Sequence, residues 1–147
     1  MRTTTYSFLD LAGAIIHPLY PGGPYLFTGE GVGSANVNML TERTAHDVAA
    51  DGSIMVSKIA GNNGQITIEC QQTSLVHKYL LGLYNYLVAA SAGEWAMAAV
   101  SLRNVSDGTS HIATGMSFQK IPDKQYQAQG QMVNWTLFAA DIQSIAA

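Results

Sequence analysis

The sequence predicts a mainly β fold with a single α-helix, a sandwich or barrel with one flanking helix. Apolar and polar residues alternate with period two in several short runs, and one longer run, Leu75 to about Ala90, has helical spacing. The long βαβα alternation of a doubly wound sheet is absent. At 147 residues the chain is sized for one domain, and 48% hydrophobic residues are enough for a core and too many for disorder.

Taken in order, Tyr6 to Ile16 opens as an alternating strand and stops at His17-Pro18, because proline cannot donate to a ladder. Tyr20-Pro21-Gly22-Gly23-Pro24 is loop material. Ser34 to Thr41 is a half-exposed strand, with Ala35, Val37 and Met39 facing one way. Glu42 to Asp51 reads as a polar loop closing on the Asp51-Gly52 turn. Ser53 to Ala60 and Gln65 to Gln71 are expected to pair as a hairpin around Gly61-Asn62-Asn63-Gly64. In the second of these, Ile66, Ile68 and Cys70 oppose Gln65, Thr67, Glu69 and Gln71.

Thr73 or Ser74 can cap the helix, whose stripe is Val76, Leu80, Leu83 and Leu87. Tyr79, Tyr84, Tyr86 and Val88 widen it, which leaves His77, Lys78 and Asn85 as the main polar exceptions. A helix apolar on most sides is buried on more than one side. Glu94 to Asn104, His111 to Ile121 and Gln131 to Ala140 complete the strands.

Charge is scarce. Seven Lys or Arg and ten Asp or Glu make 12% of the chain, at net −3, against roughly 25% in an ordinary domain. The acidic balance excludes a dedicated nucleic-acid binder, which needs a surplus of cations. Cys70, the single cysteine, forbids an internal disulfide and fits a reducing compartment. No export signal is read, and no apolar run approaches the 18 or so residues of a membrane span, so no membrane insertion is expected. Copies of the chain covering one another would account for so little charge, as would drift in a stable monomer.

The motifs of chemistry are missing. Gly29, Gly31 and Gly33 have Ser34 where a dinucleotide loop needs its third glycine, and a strand follows. His17, His46, His77 and His111 are scattered, without metal spacing. There is no nucleophile elbow for a Ser-His-Asp triad. The alternation of its strand buries Cys70 beside Ile66 and Ile68, where a thiol is inert. Asp47 and Asp51 lack the EF-hand pattern, and Asn104-Val105-Ser106 is a glycosylation sequon with no secretion signal to use it. No catalytic residue, cofactor or metal is expected.

The run ADGSIMVSKIAGNNGQITIECQQTS followed by YLLGLYNYLVAAS resembles the tail tube proteins of contractile-tailed bacteriophages and prophages. YSFLDLAGAI is similar to the family's opening strand. KIPDKQYQAQGQMVNWTLFAADI resembles its closing pattern, carried here by Lys120, Pro122, Asp123, Tyr126, Gly130, Val133, Trp135, Phe138 and Ala140, with Leu137 where the family has its last aromatic. The resemblance covers about Tyr6 to Ile142.

The resemblance implies a structural virion protein, similar in fold to the type VI secretion tube. Hexameric rings would stack into a hollow tube in which DNA passes without specific binding. It implies itself as the main partner, with sheath, tape measure, baseplate and terminator proteins beside it, in a tail assembled in the bacterial cytoplasm. A terminator or baseplate ring and a tailocin or type VI secretion-like tube are the alternatives; a small ligand-binding barrel, enzyme or carrier, is the unrelated one. Residues 1–147 would form one tail-tube domain, with an arm at 1–5, an inter-ring loop at 41–52, the helix at 73–91 and a tail at 142–147. Ring-to-ring contacts are expected from Arg2, Thr3, Glu42, Arg43, His46, Asp47 and Asp51. Lumen-facing positions are expected at Ser34, Asn36, Asn38, Ser57, Asn134 and Thr136.

Overall fold

A computed structural model describes residues 2–29 and 31–146, so Met1 of the arm and Ala147 of the tail lie outside the described residues. The elements run β1 Leu11–Ile16, β2 Tyr25–Thr28, β3 Val32–Met39, β4 Thr44–Val48, β5 Ile54–Lys58, β6 Gly64–Gln71, α1 Leu75–Ala89, β7 Ala98–Asn104, β8 Ser110–Phe118, β9 Met132–Ala139 and β10 Asp141–Ile145. The mainly β fold with one helix is therefore present.

Eight strands join in one antiparallel sheet, ordered β2-β1-β7-β8-β9-β6-β3, with β10 also on β8. The sheet folds over at Gly115. Residues 110–114 of β8 pair with β10, whereas Ser117 and Phe118 pair with β9. Gly115 has φ +64, and a Cβ there would sit 2.8 Å from the Cβ of Ala140. Ala140 lies between β9 and β10, and its N–H donates to the Thr114 carbonyl at 3.1 Å. Both strands thus cross from one layer to the other at this corner.

One core fills the fold. Ile15, Phe27, Val100, Leu102 and Ala113 from one layer meet Ile66, Ile68, Cys70, Val133, Trp135 and Leu137 from the other. The expected stripe Val76, Leu80, Leu83 and Leu87 is buried against them, and burying such side chains stabilises by about 1.5–3 kcal/mol each. Ser74 caps α1: its hydroxyl accepts from the His77 N–H at 3.2 Å. The tyrosines that thicken the helix fasten the loop after β1. Tyr79 donates to the Gly23 carbonyl at 2.7 Å and Tyr86 to the Leu19 carbonyl at 3.0 Å.

Several expectations change. Tyr6 to Asp10 is not strand: Phe8–Asp10 is a 3-10 turn, and β1 starts at Leu11. Tyr25–Thr28, directly after the segment read as loop, is a further strand, and β7 starts at Ala98 after a 3-10 turn at Ala92–Glu94. Residues 142–145 of the expected tail belong to β10, Asp141–Ile145, paired with β8. The expected hairpin of 53–60 with 65–71 does not form. β5 pairs with β4, which lies inside the segment read as a polar loop. β6 pairs instead with β3 and β9.

The physical reason for that exchange lies in Gly61 to Gly64, which is a crossing point and not a turn. Asn63 accepts from the Leu40 N–H at 3.1 Å, and the Asn62 carbonyl accepts from the Ile142 N–H at 2.8 Å. A Cβ on Gly64 would meet the Asn38 carbonyl oxygen at 2.6 Å. The tight turn is at Ala49 to Ser53, where Gly52 has φ +87 and the Ser53 N–H donates to Asp51 Oδ1 at 2.9 Å. The Asp51-Gly52 turn signal was read correctly, but it closes a hairpin.

Candidate functional site

Two surfaces are built by strands that the core does not consume. The first is the polar face of β3, β6 and β9. Register sets Ser34 beside Glu69 and Glu69 beside Asn134; Asn36 beside Thr67 and Thr67 beside Thr136; Asn38 beside Gln65 and Gln65 beside Phe138. Side chains alternate along a strand, so these rows lie opposite the buried Ile66, Ile68, Trp135 and Leu137. Five of the expected lumen residues, Ser34, Asn36, Asn38, Asn134 and Thr136, thus share one face. Ser57 does not join them; it lies on β5, opposite Ala45.

Glu69 is the one charged side chain in those rows, and the Ser34 hydroxyl donates to its carboxylate at 3.3 Å. No lysine or arginine stands among them. Gln65, Thr67 and Glu69 are the middle row that sequence reasoning left out of the site. Their alternation marks them as polar-facing, but only the pairing shows which strands flank them.

The second surface is the β4–β5 ribbon. Every residue of both strands is exposed. Directly opposed residues share a side of a ribbon. One side therefore carries Val48 with Ile54, His46 with Val56, and Thr44 with Lys58; the other carries Asp47 with Met55 and Ala45 with Ser57. Val48, Ile54 and Val56 are 64%, 58% and 61% exposed. The ribbon is tied at its root, where the Arg43 guanidinium donates to the Asn62 side chain and the Ile59 N–H donates to the Arg43 carbonyl at 2.9 Å.

The expected contact residues divide accordingly. Glu42 and Arg43 lie at the root, His46 and Asp47 on opposite sides of β4, and Asp51 in the turn. The Ser53 backbone N–H, then its hydroxyl, hold the Asp51 carboxyl below its ordinary range. Arg2 is elsewhere: with its arm, Thr4 to Tyr6, it borders a hollow at Asn104, Ser106 and Asp107. Thr3 is exposed on the same arm.

Several groups that could carry chemistry are tied into structural contacts, although His77 Nε2 is buried without a hydrogen-bond partner among the described residues. Cys70 is fully buried, and burial raises its thiol pKa. His17 bonds to the Glu94 carbonyl at 2.8 Å, and His111 to the Ser144 hydroxyl at 2.6 Å. His77, read from sequence as a polar exception on the helix, is 3% exposed. Its Nδ1 accepts from the Trp135 indole N–H at 3.0 Å. Burial, with the Lys124 charge second, lowers its pKa from an ordinary value near 6.5. Among the described residues no three His, Cys, Asp or Glu side chains are grouped to hold a metal. No helix among them is long and apolar enough to cross a membrane.

The architecture recurs in contractile injection machines. A chain from the baseplate of the anti-feeding prophage superposes with TM-score 0.64 at 11% identity, covering 99% of this chain and 97% of that one. A chain from the tube-terminating cap of the same particle gives 0.60 at 10% identity, with 100% and 94% covered. A chain from the sheath–tube complex of an extracellular contractile injection system, in its extended state, gives 0.58 at 8% identity, with 97% and 93% covered. No curated protein sequence matches. At these identities the likeness is one of fold, but the family model for the bacteriophage PhiTE tail tube protein matches residues 3–147. The chain belongs to that tail tube family, a family of structural proteins and not of enzymes.

Proposed function

We propose that this chain is the repeating subunit of a phage tail tube: six copies close a ring, rings stack into a hollow cylinder, and DNA leaves through it. The observation that carries this reading is the uncovered β4–β5 ribbon. An isolated two-stranded ribbon is marginal in water, and this one exposes Val48, Ile54 and Val56 together on one side. It makes physical sense once another copy covers it. Among the described residues β2 and β3 each have one unpaired edge, and a ring in which neighbouring sheets meet edge to edge removes such aggregation-prone edges by closure.

The face of Ser34, Asn36, Asn38, Gln65, Thr67, Asn134 and Thr136 suits a lumen. DNA is held by cations that neutralise phosphates, and this face offers none, while Glu69 adds one carboxylate per subunit. Ser57 would reach a lumen only if the ribbon lines it. Sheath, tape measure, baseplate and terminator proteins are the further partners in this reading, in a virion tail assembled in the host cytoplasm. Similar chains in a tube-terminating cap and a baseplate favour, as the second reading, a ring capping or founding such a tube; a tailocin or type VI secretion-like tube is its close variant.

Negative-stain microscopy of the purified chain and of a deletion of Ala45 to Ala50 is the test. The wild type is expected as rings or long tubes. The deletion is expected to fold and not to polymerise. Discrete wild-type monomers, or tubes of normal length from the deletion, would refute the proposal.

A further inference from the structure

The ribbon needs an acceptor, and the far end of β6 supplies one. We propose that the apolar side of the β4–β5 ribbon docks in the groove between β2 and the start of α1 on a second copy of this chain. This rests on the tube reading and specifies its contact. The ribbon leaves the fold at the Gly64 end of β6. The groove, about 580 Å³, opens at the Gln71 end, lined by Gly13, Leu26, Phe27, Gln71, Ser74 and Leu75. β6 has eight residues, so donor and acceptor are about 24 Å apart along the strand direction. One molecule cannot fill its own groove across that span, but a copy translated along the strand can.

Both partners are unusual in what they expose. Leu26 and Leu75, at the groove's rim, are 77% and 67% exposed. They offer apolar surface of the kind that Val48, Ile54 and Val56 must bury. Charge follows the same polarity. The ribbon carries Asp47 and Asp51 toward its turn. The groove end carries Lys78, exposed in the first turn of α1 one helical turn beyond Leu75. None of the described residues that line the groove is a carboxylate. The two surfaces differ, so the contact is heterologous, and repetition along an axis gives an open stack. A ribbon-to-ribbon contact would stop at a pair.

Heterologous contact can be tested with single-end variants. Val56→Glu spoils the ribbon and leaves the groove; Leu26→Glu spoils the groove and leaves the ribbon. Both side chains are exposed, and circular dichroism checks that both variants fold. Each alone is expected to lose tubes, read by microscopy and by light scattering. Mixed, they are expected to double in mass once, because one good ribbon meets one good groove, and to grow no further. Tubes from Leu26→Glu, or a mixture that stays unpaired while the wild type polymerises, would overturn the groove and leave the tube reading standing. A wild type that never polymerises would overturn both. Should Val56→Glu or Leu26→Glu misfold, Ile54→Ser and Leu75→Ser replace them, with the same outcomes deciding.

Discussion

Gly115→Ala should be among the costliest single-methyl additions in this protein, and the cost can be worked from the corner it occupies. Two effects add. A φ of +64 is left-handed backbone, which costs a residue with a Cβ about 1–2 kcal/mol. The new Cβ would also sit 2.8 Å from the Ala140 Cβ, closer than carbon atoms approach, so β8 or the β9–β10 link must move. Overpacking of that kind costs about 1–3 kcal/mol. The sum is about 2–5 kcal/mol, from a total near 5–15 for an ordinary domain. Gly23→Ala is the control, because Gly23 has φ +72 with nothing within 4 Å of the added carbon, which leaves only the first effect. Urea unfolding at concentrations where the chain is unassembled reads the difference, since assembly would add its own stabilisation. With a slope of about 2 kcal/mol per molar, Gly115→Ala should lower the midpoint by about 1–2.5 M and Gly23→Ala by about 0.5–1 M. Equal shifts would refute the claim that crowding at Ala140 shapes the corner.

Three further outcomes are expected. The unfolded His77 takes a proton near its ordinary value of 6.5, whereas the folded one takes it only at lower pH. The unfolded state therefore binds more protons below about 6.5, and stability falls as pH drops through that window; a His77→Gln variant whose thermal midpoint keeps the wild-type slope between pH 7 and 5.5 would reject this. Leu83→Ala, at a fully buried stripe position, should cost about 2–5 kcal/mol in the same urea assay, and a loss under about 1 kcal/mol would contradict a close-packed helix seat. Asn36→Lys with Asn134→Lys adds two cations to the polar face. Tubes of that variant should retain DNA at low salt and release it as salt rises, and variant tubes that leave DNA as free as the wild type does would argue that the face lies outside the lumen.

What was legible in the sequence was local. Ser74 and the stripe from Val76 to Leu87 fix the helix because cap and spacing lie within one segment. Gln65 to Gln71 and Met132 to Phe138 show their faces because half-burial writes alternation into sequence. The same logic explains the failure at β4. Alternation reports one buried side, and Thr44 to Val48 has none, so Ala45, His46 and Asp47 read as loop. Pairing was illegible for a different reason. Period two tells a strand which way to face and not whom to sit beside, so Asn62 and Asn63 passed for a turn when they tie the ribbon root and β10 to the sheet. His77 shows the limit most sharply. Its helical neighbours suggest a solvated position, and its actual partner, Trp135, is 58 residues away.

The charge shortage, 12% at net −3, takes on meaning from where charge is missing. A monomer could dispense with charge at random positions. Here the rows from Ser34 to Thr136 hold a single carboxylate and no cation, and both the ribbon's apolar side and the rim of the groove hold exposed aliphatic side chains. A polar, cation-free sheet keeps water and releases phosphate, whereas an apolar one would collapse against another surface. The ribbon and the groove have the opposite composition because on the proposed reading they end dry, against another copy. Repetition then penalises charge generally, since every like charge kept on a subunit recurs on each neighbour and adds to self-repulsion. On the proposed reading the chain touches itself on several sides and passes a polyanion through its middle, which leaves few places where a charge is useful; Asp47, Asp51 and Lys78 stand at the two ends where copies would meet.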